Sequence, residues 1–143
     1  MVGDGPLRTA MESLAGQLGI AEIVNFVGHV PDAAPYLDAL DLLVMCSDHE
    51  GTPMTLLEAW RSRVPVVAHD VGGLSELLSG DCGALVEEHS AVAYAEAVQR
   101  LLVDDSMKAK YIQNAATKLH EEYSATKNKA MYVNLYQQVL ESS

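Results

Sequence analysis

Apolar positions along the chain change their period several times, and each change predicts an element. Leu7, Met11, Leu14, Ala15 and Leu18 recur three or four apart, the spacing of one helical face, with Pro6 suited to the first turn and Gly19 to the terminator. Residues 23–27 (IVNFV) predict a strand closed by Gly28, and residues 31–40 a short helix. The run 41–46 (DLLVMC) reads as a buried strand, 53–63 as a helix, 65–68 (PVVA) as a strand, 72–78 as a short helix opened by Gly72 and Gly73, and 83–86 (GALV) as a last strand. From Ser90 onward only the helical period remains, over 91–103, 106–123 and 125–140, with Ser90, Asp105 and Ser124 as N-caps. The tail's aromatic stripe, Tyr123, Tyr132 and Tyr136, is expected to pack against the sheet.

Strands that are unbroken apolar runs, alternating with helices, predict a parallel sheet covered on both faces. The fold class is therefore α/β: a doubly wound, Rossmann-like parallel sheet over residues 1–89, followed by a helical C-terminal tail over 90–143, within one domain. Residues 1–6 (MVGDGP) read as the end of a strand running into a turn. The first strand or strands of the domain are accordingly expected to be missing, as in a fragment of a larger protein.

Composition narrows the partners. At 143 residues, 49% hydrophobic and 20% charged, the chain can bury a sizeable core. Its formal charge of -11 argues against nucleic acid and against strong binding to an anionic membrane, and favours a small polar ligand. No apolar run approaches the ~20 residues that cross a bilayer. Cys46 and Cys82 stand in apolar contexts without CxxC spacing and read as reduced, mostly buried thiols, which points to a cytoplasmic protein.

The chemistry concentrates in residues 47–60, SDHEGTPMTLLEAW. Ligands of parallel α/β sheets bind outside the carboxyl ends of the strands, and Ser47 to Thr55 fall at that edge. Gly51 permits close backbone approach, Thr52 can cap, and Pro53 at the first helical position leaves the amides of Met54 and Thr55 free for an oxyanion such as phosphate. On a helical wheel Pro53, Leu56, Leu57, Trp60 and Val64 cluster on one side, and Met54, Thr55, Glu58, Arg61 and Ser62 on the other. Glu58 therefore shares a face with the open helix start, where a carboxylate can accept two hydrogen bonds from vicinal hydroxyls such as those of a ribose. Glu50 in the turn could do the same for a sugar beyond the diphosphate. Spacing alone leaves open that both carboxylates are merely solvated, and it does not establish the flanking pair that a glycosidase needs.

Five stretches, VGDGP (2–6), VNFVGHVPD (24–32), YLDALDLLVMCSDHEGTPMTLLEAW (36–60), PVVAHDVGGLSELL (65–78) and GALV (83–86), resemble in order and spacing the C-terminal, donor-binding domain of retaining GT-B glycosyltransferases, the large group that includes bacterial mannosyl- and glucosyltransferases. The resemblance spans about the first 90 residues, and the helical remainder is similar in type only. It implies an Glu-seven-Glu (EX7E) motif in which Glu50 contacts the transferred hexose and Glu58 the ribose, while backbone amides of Gly51 to Thr55 face the sugar and diphosphate. It further implies that Val27, Gly28 and His29 border the base, that Gly72 and Gly73 shape the cleft wall with a structural role at least as prominent, and that no metal or other cofactor is needed beyond a UDP-, GDP- or ADP-hexose donor.

Departures from the family pattern matter too. The Gly-Arg pair and the lysine that neutralise the leaving diphosphate have no counterpart here, and neither has the N-terminal acceptor domain. Helix dipoles contribute about 0.3–2 kcal/mol, against the ~8–23 kcal/mol by which enzymes lower barriers, so the isolated chain is expected not to turn over. The alternative from a different class is a stand-alone, non-catalytic nucleotide-sugar-binding or interaction module of the same fold; a sugar-nucleotide epimerase shares the architecture but fits residues 47–60 less well. His29, His49, His69, His89 and His120 are dispersed without metal-ligand spacing. The last helix is expected to carry an exposed apolar side, a route to self-association.

Overall fold

A computed structural model describes residues 1–141, which form two compact units, Met1–Ala39 and a larger one from Leu40 onward. The first unit holds helix α1 (Arg8–Gln17), a single 3-10 turn (Ala21–Ile23) and helix α2 (Ala34–Asp38). Its organiser is Arg8, whose guanidinium donates to the Phe26 carbonyl at 2.9 Å and pairs with Glu12 at 2.8 Å and Asp4 at 3.4 Å.

The expected strand over 23–27 does not form. Its backbone partner within the unit is the short segment Met1–Gly3, which supplies the Val27 amide with the Met1 carbonyl (2.9 Å) and the Gly28 carbonyl with the Gly3 amide (2.8 Å), so pairing stops at isolated bridges between Val2, Gly3 and Gly28. Helix α1 likewise starts at Arg8 rather than in the turn at Pro6. Of its predicted apolar face only Ala15 is buried, and Leu7, Leu14 and Leu18 are exposed.

The second unit is a three-stranded parallel sheet, β1 (Leu43–Met45), β2 (Val66–His69) and β3 (Ala84–Val86), in the order β1-β2-β3. Helices α3 (Met54–Arg61) and α4 (Gly73–Leu78) make the crossovers, and α5 (Ala91–Val103), α6 (Asp105–Glu122) and α7 (Ala125–Glu141) follow. All four residues of the central strand are buried. Val67 packs with Val86, Tyr94 and Leu101 on the α5 face, and Val66 and Ala68, which the two-residue period points the other way, are fully buried as well. The α/β class with a parallel sheet is thus as the pattern predicts. Strand β1 differs from the buried strand expected, for it is an edge strand and Val44 is exposed.

Caps define the later helices. The Ser90 hydroxyl accepts from the Ala93 amide at 3.3 Å, and Ser124 Oγ accepts from the Lys127 amide at 3.4 Å, both as the sequence predicts. Helix α6 is capped by Asp104, not Asp105, because the Asp104 carboxylate reaches the Met107 amide at 2.8 Å. Tyr123 meets Trp60 edge-on at 6.4 Å, whereas Tyr132 and Tyr136 are exposed, so the aromatic stripe does not pack against the sheet as a whole. Helix α7 buries none of its residues, and its Met131, Leu135, Val139 and Leu140 lie open. Cys82 is buried and its thiol pushed up by burial, but Cys46, also free, is exposed, contrary to the expectation for both thiols.

Candidate functional site

The parallel sheet brings the carboxyl ends of its strands to one edge, and the chain leaves β1 there, running through Ser47 and Glu50 to the start of α3. Pro53 has extended backbone (φ -70°, ψ 122°) and is the N-cap itself, so α3 starts one position later than the sequence predicts, and no side chain caps the helix, Thr52 included. Leu56 N–H donates back to the Pro53 carbonyl at 3.1 Å. The amides of Met54 and Thr55 have no backbone or capping acceptor among the described residues, so the positive end of the α3 dipole is open.

Glu58 stands one turn along. Leu56, Ala59 and Trp60 are buried, while Met54, Thr55, Glu58 and Arg61 are exposed, so the carboxylate and the open amides share one solvent-facing side of α3. Ala59 joins the buried face that the wheel assigned to Leu56 and Trp60. Glu50 is half-buried and Ser47 likewise, whereas Gly51 and Thr52 are exposed.

Gly72 and Gly73 explain how the turn is held. The Gly73 amide donates to the Glu50 carbonyl at 3.0 Å. A Cβ on Gly73 would lie 1.8 Å from the Gly51 carbonyl oxygen, and one on Gly72 would lie 2.2 Å from that of Glu50. Gly72 also adopts φ 51° and ψ -132°, a combination closed to L side chains. The pair is therefore a side-chain-free seat on which the Glu50–Gly51 backbone rests.

Val27, Gly28 and His29 lie in the first unit, where Gly28 (φ 82°) is buried beside Arg8 and His29 is exposed. Two cavities lie elsewhere: one of about 280 Å³ where β3 begins, lined by Leu78, Asp81, Ala97 and Tyr111 among others, and one of about 520 Å³ along α7. Among the described residues no cluster of His, Cys, Asp and Glu is arranged to hold a metal, and no helix is long and apolar enough to cross a membrane.

A family model for glycosyl transferases group 1 matches residues 1–104. The chain belongs to this family. Among curated relatives, the alpha-D-kanosaminyltransferase of Streptomyces kanamyceticus is 31% identical over 142 residues, which cover 97% of this chain and 37% of that protein. Among solved structures, sucrose-phosphate synthase from Thermosynechococcus elongatus matches with a TM-score of 0.86 and 27% identity over 99% of this chain and 38% of that one. Anabaena HepE in complex with UDP-glucose shares the fold, with a TM-score of 0.83 at 23% identity over 95% of this chain and 40% of that one. These matches bear out the resemblance read from the five motifs, to the C-terminal domain of a GT-B glycosyltransferase. The chain spans little more than a third of the length of the curated relatives it matches, 37% in the instance given.

This member of the group 1 family also carries, at the same sheet edge, a cluster that the linear pattern gave no hint of. His69 ends β2, is buried, and donates from Nδ1 to the Val86 carbonyl at 2.8 Å. The His89 ring stacks on it, centroids 4.3 Å apart and 24° from parallel, and its Nδ1 lies 2.9 Å from Asp48 Oδ1. Tyr94 stands edge-on to His89 at 5.9 Å and donates its hydroxyl to the Met45 carbonyl at 3.3 Å. His69 lies opposite Val86 in the parallel register of β2 and β3, and the turn that follows β3 lays His89 onto its ring.

Burial first, then the neighbouring Cys46, pushes the Tyr94 hydroxyl up to about 12 from its ordinary 10.0. The neutral form is the one the fold retains, so above the ordinary value the unfolded chain loses this proton and the folded chain keeps it. Stability attached to Tyr94 is therefore fully present below about pH 10 and drains away as pH rises towards 12. Comparing denaturant midpoints from pH 9 to about 12, the wild-type protein is expected to lose stability faster than Tyr94→Phe, by at most about 2–3 kcal/mol over that span.

Proposed function

We propose that this chain is the donor-binding part of a retaining glycosyltransferase that moves a hexose from a nucleotide diphosphate sugar, with Glu58 accepting hydrogen bonds from the ribose hydroxyls and Glu50 from hydroxyls of the sugar. The amides of Met54 and Thr55 would face the diphosphate. One observation carries the reading: the uncapped start of α3 and the Glu58 carboxylate lie on the same exposed side, at the carboxyl edge of a parallel sheet. The UDP-glucose seen in the HepE structure supports a nucleotide-sugar as the ligand class.

The division of labour follows from charge. A dianionic diphosphate is drawn to the helix amino end, and the two carboxylates, which would repel it, reach neutral hydroxyls on either side. Metal ions are not required, and the isolated chain binds without turning over.

Trp60, the chain's single tryptophan, lies on the buried face of α3, away from the open amides and Glu58, so binding is followed by titration calorimetry. Titrating UDP-, GDP- and ADP-glucose and the matching diphosphates should identify one base that binds. Glu58→Ala is expected to weaken diphosphate and nucleotide-sugar alike by roughly 10- to 100-fold, the value of hydrogen bonds to a charged group, and Glu50→Ala to weaken only the nucleotide-sugar. Unchanged affinity in both variants ends the proposal.

A further inference from the structure

An exposed carboxylate–imidazole pair ordinarily holds nothing in place, because ordering two mobile side chains offsets the attraction. Asp48 and His89 differ from that case. The His89 ring lies flat on that of His69, a residue only 9% exposed and fixed by its bond to the Val86 carbonyl; Tyr94 closes the third side. With one partner already ordered, the bond from His89 Nδ1 to Asp48 Oδ1 tethers the β1 exit loop at a defined point.

Two residues further on, the same loop is tethered again, by the Gly73 amide on the Glu50 carbonyl. Between these two fixed points the chain at His49 and Glu50 has little freedom left. Tyr94 adds a third hold just upstream, at the Met45 carbonyl. The cluster thus links the carboxyl ends of β1, β2 and β3, and its outermost member reaches the loop that carries Glu50.

We infer that His89, stacked on His69, is a positioning residue for the donor sugar: it holds Asp48 so that Glu50 presents its carboxylate to the sugar hydroxyls. The inference rests on the reading that Glu50 contacts the sugar and Glu58 the ribose. It makes a distinction that a merely stabilising role would not, since the hold acts on the sugar end of the ligand and leaves the nucleotide end to α3.

The test uses the same glucose nucleotides and their free diphosphates, with melting temperature as the folding control. His89→Ala is expected to weaken the nucleotide-sugar by roughly fivefold while the free diphosphate stays within about twofold of wild type. His89→Asn, whose amide can replace the Nδ1 donor, should return the nucleotide-sugar to within about twofold of wild type. Asp48→Ala should match His89→Ala, and the double variant should be no worse than either alone. Should His89→Ala fail to fold, Asp48→Ala and His89→Asn carry the test on the same readings.

Equal losses for nucleotide-sugar and diphosphate, or no loss in either, overturn the inference, as does His89→Asn behaving like the alanine variant. If Glu50→Ala alone loses the sugar contribution, the inference falls and the proposed function stands. If the wild-type protein binds none of the nucleotides, both fall together.

Discussion

Gly73→Ala is expected to unseat the turn that carries Glu50 and Gly51, lowering stability by roughly 3 kcal/mol and abolishing nucleotide-sugar binding. The methyl group would lie 1.8 Å from the Gly51 carbonyl oxygen, and the obstacle is backbone rather than the yielding end of a long side chain. One of the two loops must therefore move, and the bond from the Gly73 amide to the Glu50 carbonyl goes with it. Gly72→Ala should cost a comparable amount through its 2.2 Å clash with the Glu50 oxygen and its φ of +51°. Gly80→Ala is the control: φ is +71° but no atom lies within 4 Å, so only the left-handed backbone term of about 1–2 kcal/mol applies, with binding intact. Urea unfolding and nucleotide titration on the three variants check this. Wild-type stability and binding in Gly73→Ala would show that the seat is not needed.

Trp60→Ala should be the most destabilising substitution in α3, at about 3–5 kcal/mol. The residue is 2% exposed and its ring packs edge-on against Tyr123 of the α6 end, so truncation opens a cavity between the two helices. Its indole N–H has no acceptor among the described residues. Trp60→Phe removes that orphaned donor, whose burial costs about 1–3 kcal/mol, while keeping much of the ring, and should therefore lie within about 1 kcal/mol of wild type. The gap between the two variants in urea midpoint is the measurement. A phenylalanine variant as unstable as the alanine variant would mean that the buried N–H is no burden.

What could be read from the residues, and what could not, divides along one line. Elements whose partners are dictated locally were legible: β2 because an apolar run with no alternation fits only a strand covered on both faces, α5 because Ser90 caps it, α3 because its apolar face has the helical period. Elements that depend on a neighbour were not. Residues 23–27 have strand composition but find no partner of matching length among the described residues, and the Tyr132 and Tyr136 face has nothing in its own sequence to show whether it is covered. Asp104 and Asp105 are equally good caps on paper, and only the loop geometry chooses between them.

The candidate site shows the same division. The helical period already put Glu58 on the side of the α3 start, whereas His69 at the end of β2, His89 after β3 and Tyr94 in α5 come together only in the fold. Gly72 and Gly73 were visible as a pair, but their task, accommodating another stretch of main chain, can be seen only once Glu50 and Gly51 lie against them.

A cradle made of peptide groups and of two absent side chains places no demand on the identity of the residues that rest in it. His49, Thr52 and Met54 are all exposed. Under the proposed function, exchanges there retune which hexose is accepted while the supporting platform stays untouched, so changes of specificity should accumulate at these positions long before any occur at the two glycines.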